Sequence, residues 1–206
     1  MQVRGIPRFK TKLCDISANE GELNVEFVVE VEGFPKPSVH WFLGDVEITE
    51  KRTEYTRVEE DDNYKLIIKE VKTELKGHYT CKVENEYGEN LSSSNLTVNT
   101  RPKLLKKLAD QRLKEGETLQ LIFEVSGTPD PEVKWYKDGE EVTADARIKI
   151  TRDSQRSESY DLTVTLLKGS DGGLYEVRAE NELGYVTSKS KVIVLSKFPH
   201  LLIFFF

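Results

Sequence analysis

The chain is poor in the residues that build catalytic and metal centres. It has two cysteines, one methionine and three histidines in 206 residues. His40, His78 and His200 lie far apart in sequence, and Cys14 and Cys81 are too distant for a zinc knuckle, so no metal site is expected. No Gly-x-x-x-x-Gly-Lys or Gly-x-Gly-x-x-Gly loop is present to cradle phosphates. No serine or cysteine stands in a nucleophile motif. The reading is therefore a non-enzyme with no cofactor and no small-molecule ligand. No run reaches the roughly 20 apolar residues of a bilayer span, and none follows Met1, so neither a membrane helix nor a signal peptide is expected. Surplus positive charge is also missing. The net charge is −6, and all of it falls in residues 1–100, which hold 13 Lys+Arg against 19 Asp+Glu. Residues 101–206 hold 17 of each. Acid of this kind gains nothing from phosphate neutralisation, which excludes nucleic acid as the expected partner.

What is present is a duplication. Gly33-Phe34-Pro35-Lys36-Pro37-Ser38-Val39-His40-Trp41 returns as Gly127-Thr128-Pro129-Asp130-Pro131-Glu132-Val133-Lys134-Trp135. Downstream, Gly77-His78-Tyr79-Thr80-Cys81 and Asn85-Glu86-Tyr87-Gly88 return as Gly173-Leu174-Tyr175-Glu176-Val177 and Asn181-Glu182-Leu183-Gly184. Two landmarks at nearly one offset mean two units of roughly 95 residues, the size of a small domain. Before each Pro-x-Pro the residues alternate. Leu23, Val25, Phe27, Val29 and Val31 interleave with polar residues except at Val28, and Leu119, Leu121, Phe123 and Val125 repeat the pattern. Period two predicts half-buried strands. The prolines block helix and supply an extended turn. Leu66 and Ile68, matched by Leu162 and Val164, are expected to point inward from another strand. Asp138-Gly139 predicts a tight hairpin, and Gly44-Asp45 a turn of another type in the first unit.

These landmarks resemble tandem immunoglobulin-like domains of the I-set type, as found in the giant muscle proteins of the titin, twitchin, projectin and obscurin class. The resemblance implies an all-β fold of two β-sandwiches, with domains at 6–98 and 103–195, a short linker at 99–102 and an apolar tail at 196–206. It also implies a structural core: Trp41 packed on Val29 and Cys81, Trp135 packed on Phe123 and Val177, and tyrosine corners at Tyr79 and Tyr175. The family's two cysteine positions hold Val29 and Cys81 in the first unit and Phe123 and Val177 in the second, so neither family disulfide can form. Asp171 is expected to pair with Arg147, where the first unit has Leu75. The lack of family disulfides points to a reducing compartment, the cytoplasm. Asn90-Leu91-Ser92 and Asn95-Leu96-Thr97 are glycosylation sequons that point the other way.

The function implied by the resemblance is that of an intracellular spacer and docking module in the sarcomere or cytoskeleton. Its partners would be filament proteins and neighbouring immunoglobulin domains. Tension is expected to act between residues 9–16 and 91–98 and between their counterparts. Lys103, Lys106, Lys107, Arg112 and Lys114 cluster in sequence and form a candidate basic contact patch. Three alternatives remain open at this point: an actin-binding scaffold similar to palladin and myotilin, an immunoglobulin region flanking a kinase, and an extracellular adhesion module.

Overall fold

The computed structural model describes residues 4–153, 155–156 and 158–196. The expected apolar tail lies outside these residues, apart from Ser196. The chain divides into two compact units, Met1–Thr100 and Arg101–Phe206.

Nine strands begin in the first unit: β1 (Arg8–Thr11), β2 (Ile16–Asn19), β3 (Leu23–Glu32), β4 (Ser38–Leu43), β5 (Val46–Glu47), β6 (Tyr55–Glu60), β7 (Asn63–Glu70), β8 (Gly77–Asn85) and β9 (Gly88–Lys106). One sheet has the order β1-β3-β7-β6, and the other contains β9-β8-β4-β5 with β2 parallel to β9. The second unit adds β10 (Gln111–Lys114), β11 (Leu119–Thr128), β12 (Glu132–Lys137), β13 (Glu140–Glu141), β14 (Ile148–Arg152), β15 (Ser159–Val164), β16 (Gly173–Asn181) and β17 (Gly184–Leu195). One of its sheets runs β10-β17-β16-β12-β13, and the other runs β14-β15-β11 with β9 beside β11. Among the described residues there is no α-helix. The fold is all-β, as expected, and each unit has its own buried apolar cluster between two sheets.

The alternating runs become β3 and β11, with Val25, Phe27, Val29 and Val31 buried in one and Leu119, Leu121, Phe123 and Val125 in the other. Leu66, Ile68, Leu162 and Val164 are buried opposite them. Leu23 departs from the expected alternation and is 65% exposed. Asn24 takes φ +57°, a left-handed conformation that breaks strict alternation before Val25. At the two-residue hairpins, Asp138 and Gly139 both have positive φ, whereas of Gly44 and Asp45 only the glycine does. The turn types differ as the sequence suggests.

Residues 99–102, expected as a linker, lie within β9. Asn99 pairs with Asn19, and the buried Pro102 sits against Gly127, where a Cβ would meet the proline Cα at 3.3 Å. Pro102 thus lies inside a continuous strand, packed against Gly127 as Pro7 is against Gly33.

Candidate interaction surfaces

Each domain is assembled around its tryptophan. Trp41 lies opposite Cys81 across β4 and β8, and Trp135 lies opposite Val177 across β12 and β16. Val29, Trp41, Tyr79 and Cys81 are buried in one cluster, and Phe123, Trp135, Tyr175 and Val177 in the other. The Phe123 ring meets Trp135 edge-on, with centroids 6.5 Å apart and an interplanar angle of 77°. That geometry suits the ring quadrupoles and fills the space where the family places sulfur. Cys81 and Cys14 are both free thiols, one buried and one exposed. Burial pushes the Cys81 thiol up to about 12. A thiol so seldom ionised is a poor nucleophile and serves as a small apolar filler.

The two tyrosine corners use the same bond with different supports. Tyr79 donates its hydroxyl to the Leu75 carbonyl at 2.7 Å, and Tyr175 donates to Asp171 at 2.8 Å. In the first domain the Tyr55 hydroxyl lies 3.0 Å from that of Tyr79, and Phe27 stacks on Tyr79 at 4.5 Å. In the second domain Ile148 stands where Tyr55 does, opposite Val164 as Tyr55 is opposite Ile68. Asp171 there receives a two-pronged bond from Arg147, at 2.9 and 3.2 Å, and the Lys168 amide at 2.7 Å. The Arg147 guanidinium holds the Asp171 carboxyl below its ordinary value.

A second repeated device escaped the sequence reading. In the first domain the Leu13 amide donates to the Ser92 hydroxyl at 2.9 Å, and the Asn95 amide donates to the Asp15 carboxylate at 2.7 Å. In the second domain the Leu108 amide donates to Ser188 at 2.9 Å, the Lys191 amide to Asp110 at 2.7 Å, and the Ser190 hydroxyl to the Ala109 carbonyl at 2.8 Å. These bonds tie the crossing after the first strand to the last strand. The signal was present as Leu-x-Asp at 13–15 and 108–110 and as Ser-x-Ser at 92–94 and 188–190. It is weak without knowledge of which segments meet. The pairing itself also corrects the expected tension-bearing contact. Residues 8–11 pair with β3, and only Ile16–Asn19 pairs with β9, parallel, over Leu96 to Asn99. In the second domain β10 pairs with β17 in the same way.

Asn85 and Asn181 lock the final hairpins. Each side-chain oxygen accepts an amide two residues on, from Tyr87 and Leu183, and each side-chain nitrogen donates to a proline carbonyl, Pro35 and Pro129.

The five basic residues singled out in sequence are all exposed but do not share a sheet. Lys103 and Lys106 lie on β9 and Lys107 directly follows it, whereas Arg112 and Lys114 lie on β10 in the opposing sheet. Lys106 approaches Glu124 at 3.8 Å. Among the described residues no group of three or more His, Cys, Asp or Glu could hold a metal ion, and no helix is long and apolar enough to cross a membrane.

Known proteins share this arrangement. The muscle M-line assembly protein unc-89 of Caenorhabditis elegans is 31% identical over 198 residues, which is 91% of this chain and 2% of that protein. Roundabout homolog 2 of Homo sapiens is 31% identical over 172 residues, 82% of this chain and 12% of that one. The chain thus spans a small part of the length of these relatives. Among solved structures, the titin I-band fragment I67-I69 superposes with a TM-score of 0.67 at 24% identity, covering 94% of this chain and 67% of that one. The Immunoglobulin I-set domain pattern matches twice, at residues 7–98 and 102–194, and the chain belongs to that family.

Proposed function

We propose that this chain is an intracellular structural pair of immunoglobulin domains in the filament system of muscle, a spacer that bears tension and a surface on which filament proteins dock. The observation that carries this reading is the parallel pairing repeated in both domains, of β2 with β9 and of β10 with β17. In each, a strand near the start of the domain lies alongside the strand that leaves it. Pulling on the two ends slides such strands past one another, so the ladder bonds must fail together. The bonds from the Leu13 amide to Ser92 and from the Asn95 amide to Asp15, and those from the Leu108 amide to Ser188 and from the Lys191 amide to Asp110, add side-chain contacts at the same seam. The muscle name of the unc-89 relative and the absence of a disulfide pair support the cytoplasmic filament setting.

Single-molecule stretching of the chain tests the mechanical part. Two unfolding events are expected, and Asp15→Ala and Asp110→Ala should each lower the force of one of them. Unaltered forces in both variants would remove the seam from the mechanism. Antibody staining of native tissue along filaments tests the setting.

Similarity to Roundabout homolog 2, whose name is not a muscle name, supports a second reading as an extracellular adhesion module. Ser92 of the first sequon is buried and already bonded to the Leu13 amide, which disfavours glycosylation there. A glycan mass on Asn90 or Asn95 in native protein would establish that second reading instead.

A further inference from the structure

Strand register gathers cations that the sequence scatters. In the second domain β10 and β17 set Arg112 opposite Ile193 and Lys114 opposite Leu195. β16 and β17 set Leu174 opposite Lys191 and Glu176 opposite Lys189. Cross-strand partners share a sheet face, and the intervening Ser188, Ser190 and Val192 point into the core. The outer face thus carries Arg112, Lys114, Lys189 and Lys191 around Leu174 and Ile193. Leu174 is 45% exposed and Ile193 half-buried. Lys189 pairs with Glu176 at 3.1 Å, and among the described residues the side chains of Arg112, Lys114 and Lys191 have no ion-pair partner.

The first domain serves as an internal control. At the same register positions it carries Ser17 opposite Thr97, Asn19 opposite Asn99, His78 opposite Asn95 and Thr80 opposite Ser93. Side chains other than lysine, arginine or aliphatics therefore satisfy the fold at these places. The cations and aliphatics of the second domain are not needed to build the sheet, and an exposed leucine among lysines adds nothing to solubility.

We propose that this face of the second domain docks an extended acidic protein segment that presents an aliphatic side chain between its carboxylates. This rests on the docking part of the reading above and is independent of the mechanical part. Three unpaired cations on one face select an anionic partner, and the Arg112 fork matches a carboxylate. The aliphatic centre favours a peptide over nucleic acid, whose backbone offers nothing to Leu174 and Ile193. Glu176 within the patch disfavours a uniformly anionic membrane surface.

The test uses the full chain and a synthetic peptide of alternating glutamate and leucine, with a lysine–leucine peptide as control. Phosphatidylserine vesicles and sedimentation of the protein alone form the other arms. The main variant grafts the first domain's residues, Arg112→Ser, Lys114→Asn, Lys189→Ser and Lys191→Asn together. A milder Lys189→Gln/Lys191→Gln pair covers the case that the graft does not fold. Amide shifts confined to β10, β16 and β17 are expected with the acidic peptide, fading as salt rises. The graft should weaken binding by about tenfold or more, and the milder pair should weaken it measurably. The proposal is overturned by absence of shifts at millimolar peptide, by equal binding of the control peptide or by variants that bind like the parent. Binding to vesicles in place of peptide, or self-association through the same amides, would also overturn it. None of these results touches the stretching experiment.

Discussion

If Val29 fills the place of one sulfur and Cys81 still supplies the other, a single substitution restores the bridge. Val29→Cys places a second thiol in the same fully buried cluster as Cys81 and Trp41. Two opposing effects follow. Reduced, the variant loses hydrocarbon from a well-packed site, at a cost of roughly 1 kcal/mol. Oxidised, the crosslink closes a loop of about 50 residues, for which the chain-entropy estimate is about 4 kcal/mol. The oxidised form should therefore exceed the parent by about 3 kcal/mol, and the two redox forms of the variant should differ by about 4 kcal/mol. For a domain of this size that difference is tens of degrees in melting temperature. Each domain holds one tryptophan, so Trp135→Phe leaves Trp41 as a reporter of the first domain alone. Urea unfolding followed by Trp41 fluorescence, with and without reductant, reads both terms. A thiol count that stays at three after oxidation, or a crosslink that leaves the midpoint unmoved, would refute the idea that Val29 and Cys81 occupy the bridge site.

Tyr79→Phe removes the bond to Leu75 and strands the buried Tyr55 hydroxyl, so the first domain should lose about 1–3 kcal/mol. Tyr175→Phe removes a single bond and should cost about 1 kcal/mol, and calorimetry of the two variants should show this order. Asp171→Asn should lower the melting temperature of the second domain at neutral pH. The Asp171 carboxyl is held below its unfolded value, so its contribution is present above that value, near 3.9, and is lost as pH falls through the folded one. The stability gap between parent and variant should accordingly close in acid, which melting curves across that range will read. Cys14 should react at once with a thiol reagent, whereas Cys81 should react only on unfolding; two prompt equivalents in native protein would contradict the burial of Cys81.

The sequence by itself determined the two-domain repeat and the strands, and its resemblance to the I-set family implied the tryptophan packing and the loss of the bridge. The repeat and the strands rest on local alternation and on landmarks that recur in order, so they survive without knowledge of contacts. The Asp171–Arg147 pair was legible only through the family resemblance, which places an acid four residues before the corner tyrosine. Proline signals a break in sequence, whereas Pro102 lies within β9 against Gly127. The Ser92–Leu13 and Ser188–Leu108 clamps and the basic face of Arg112, Lys114, Lys189 and Lys191 were decided only by tertiary structure. Each joins segments about 80 residues apart, and a shift of one residue in register would turn every one of those side chains to the other side of its sheet.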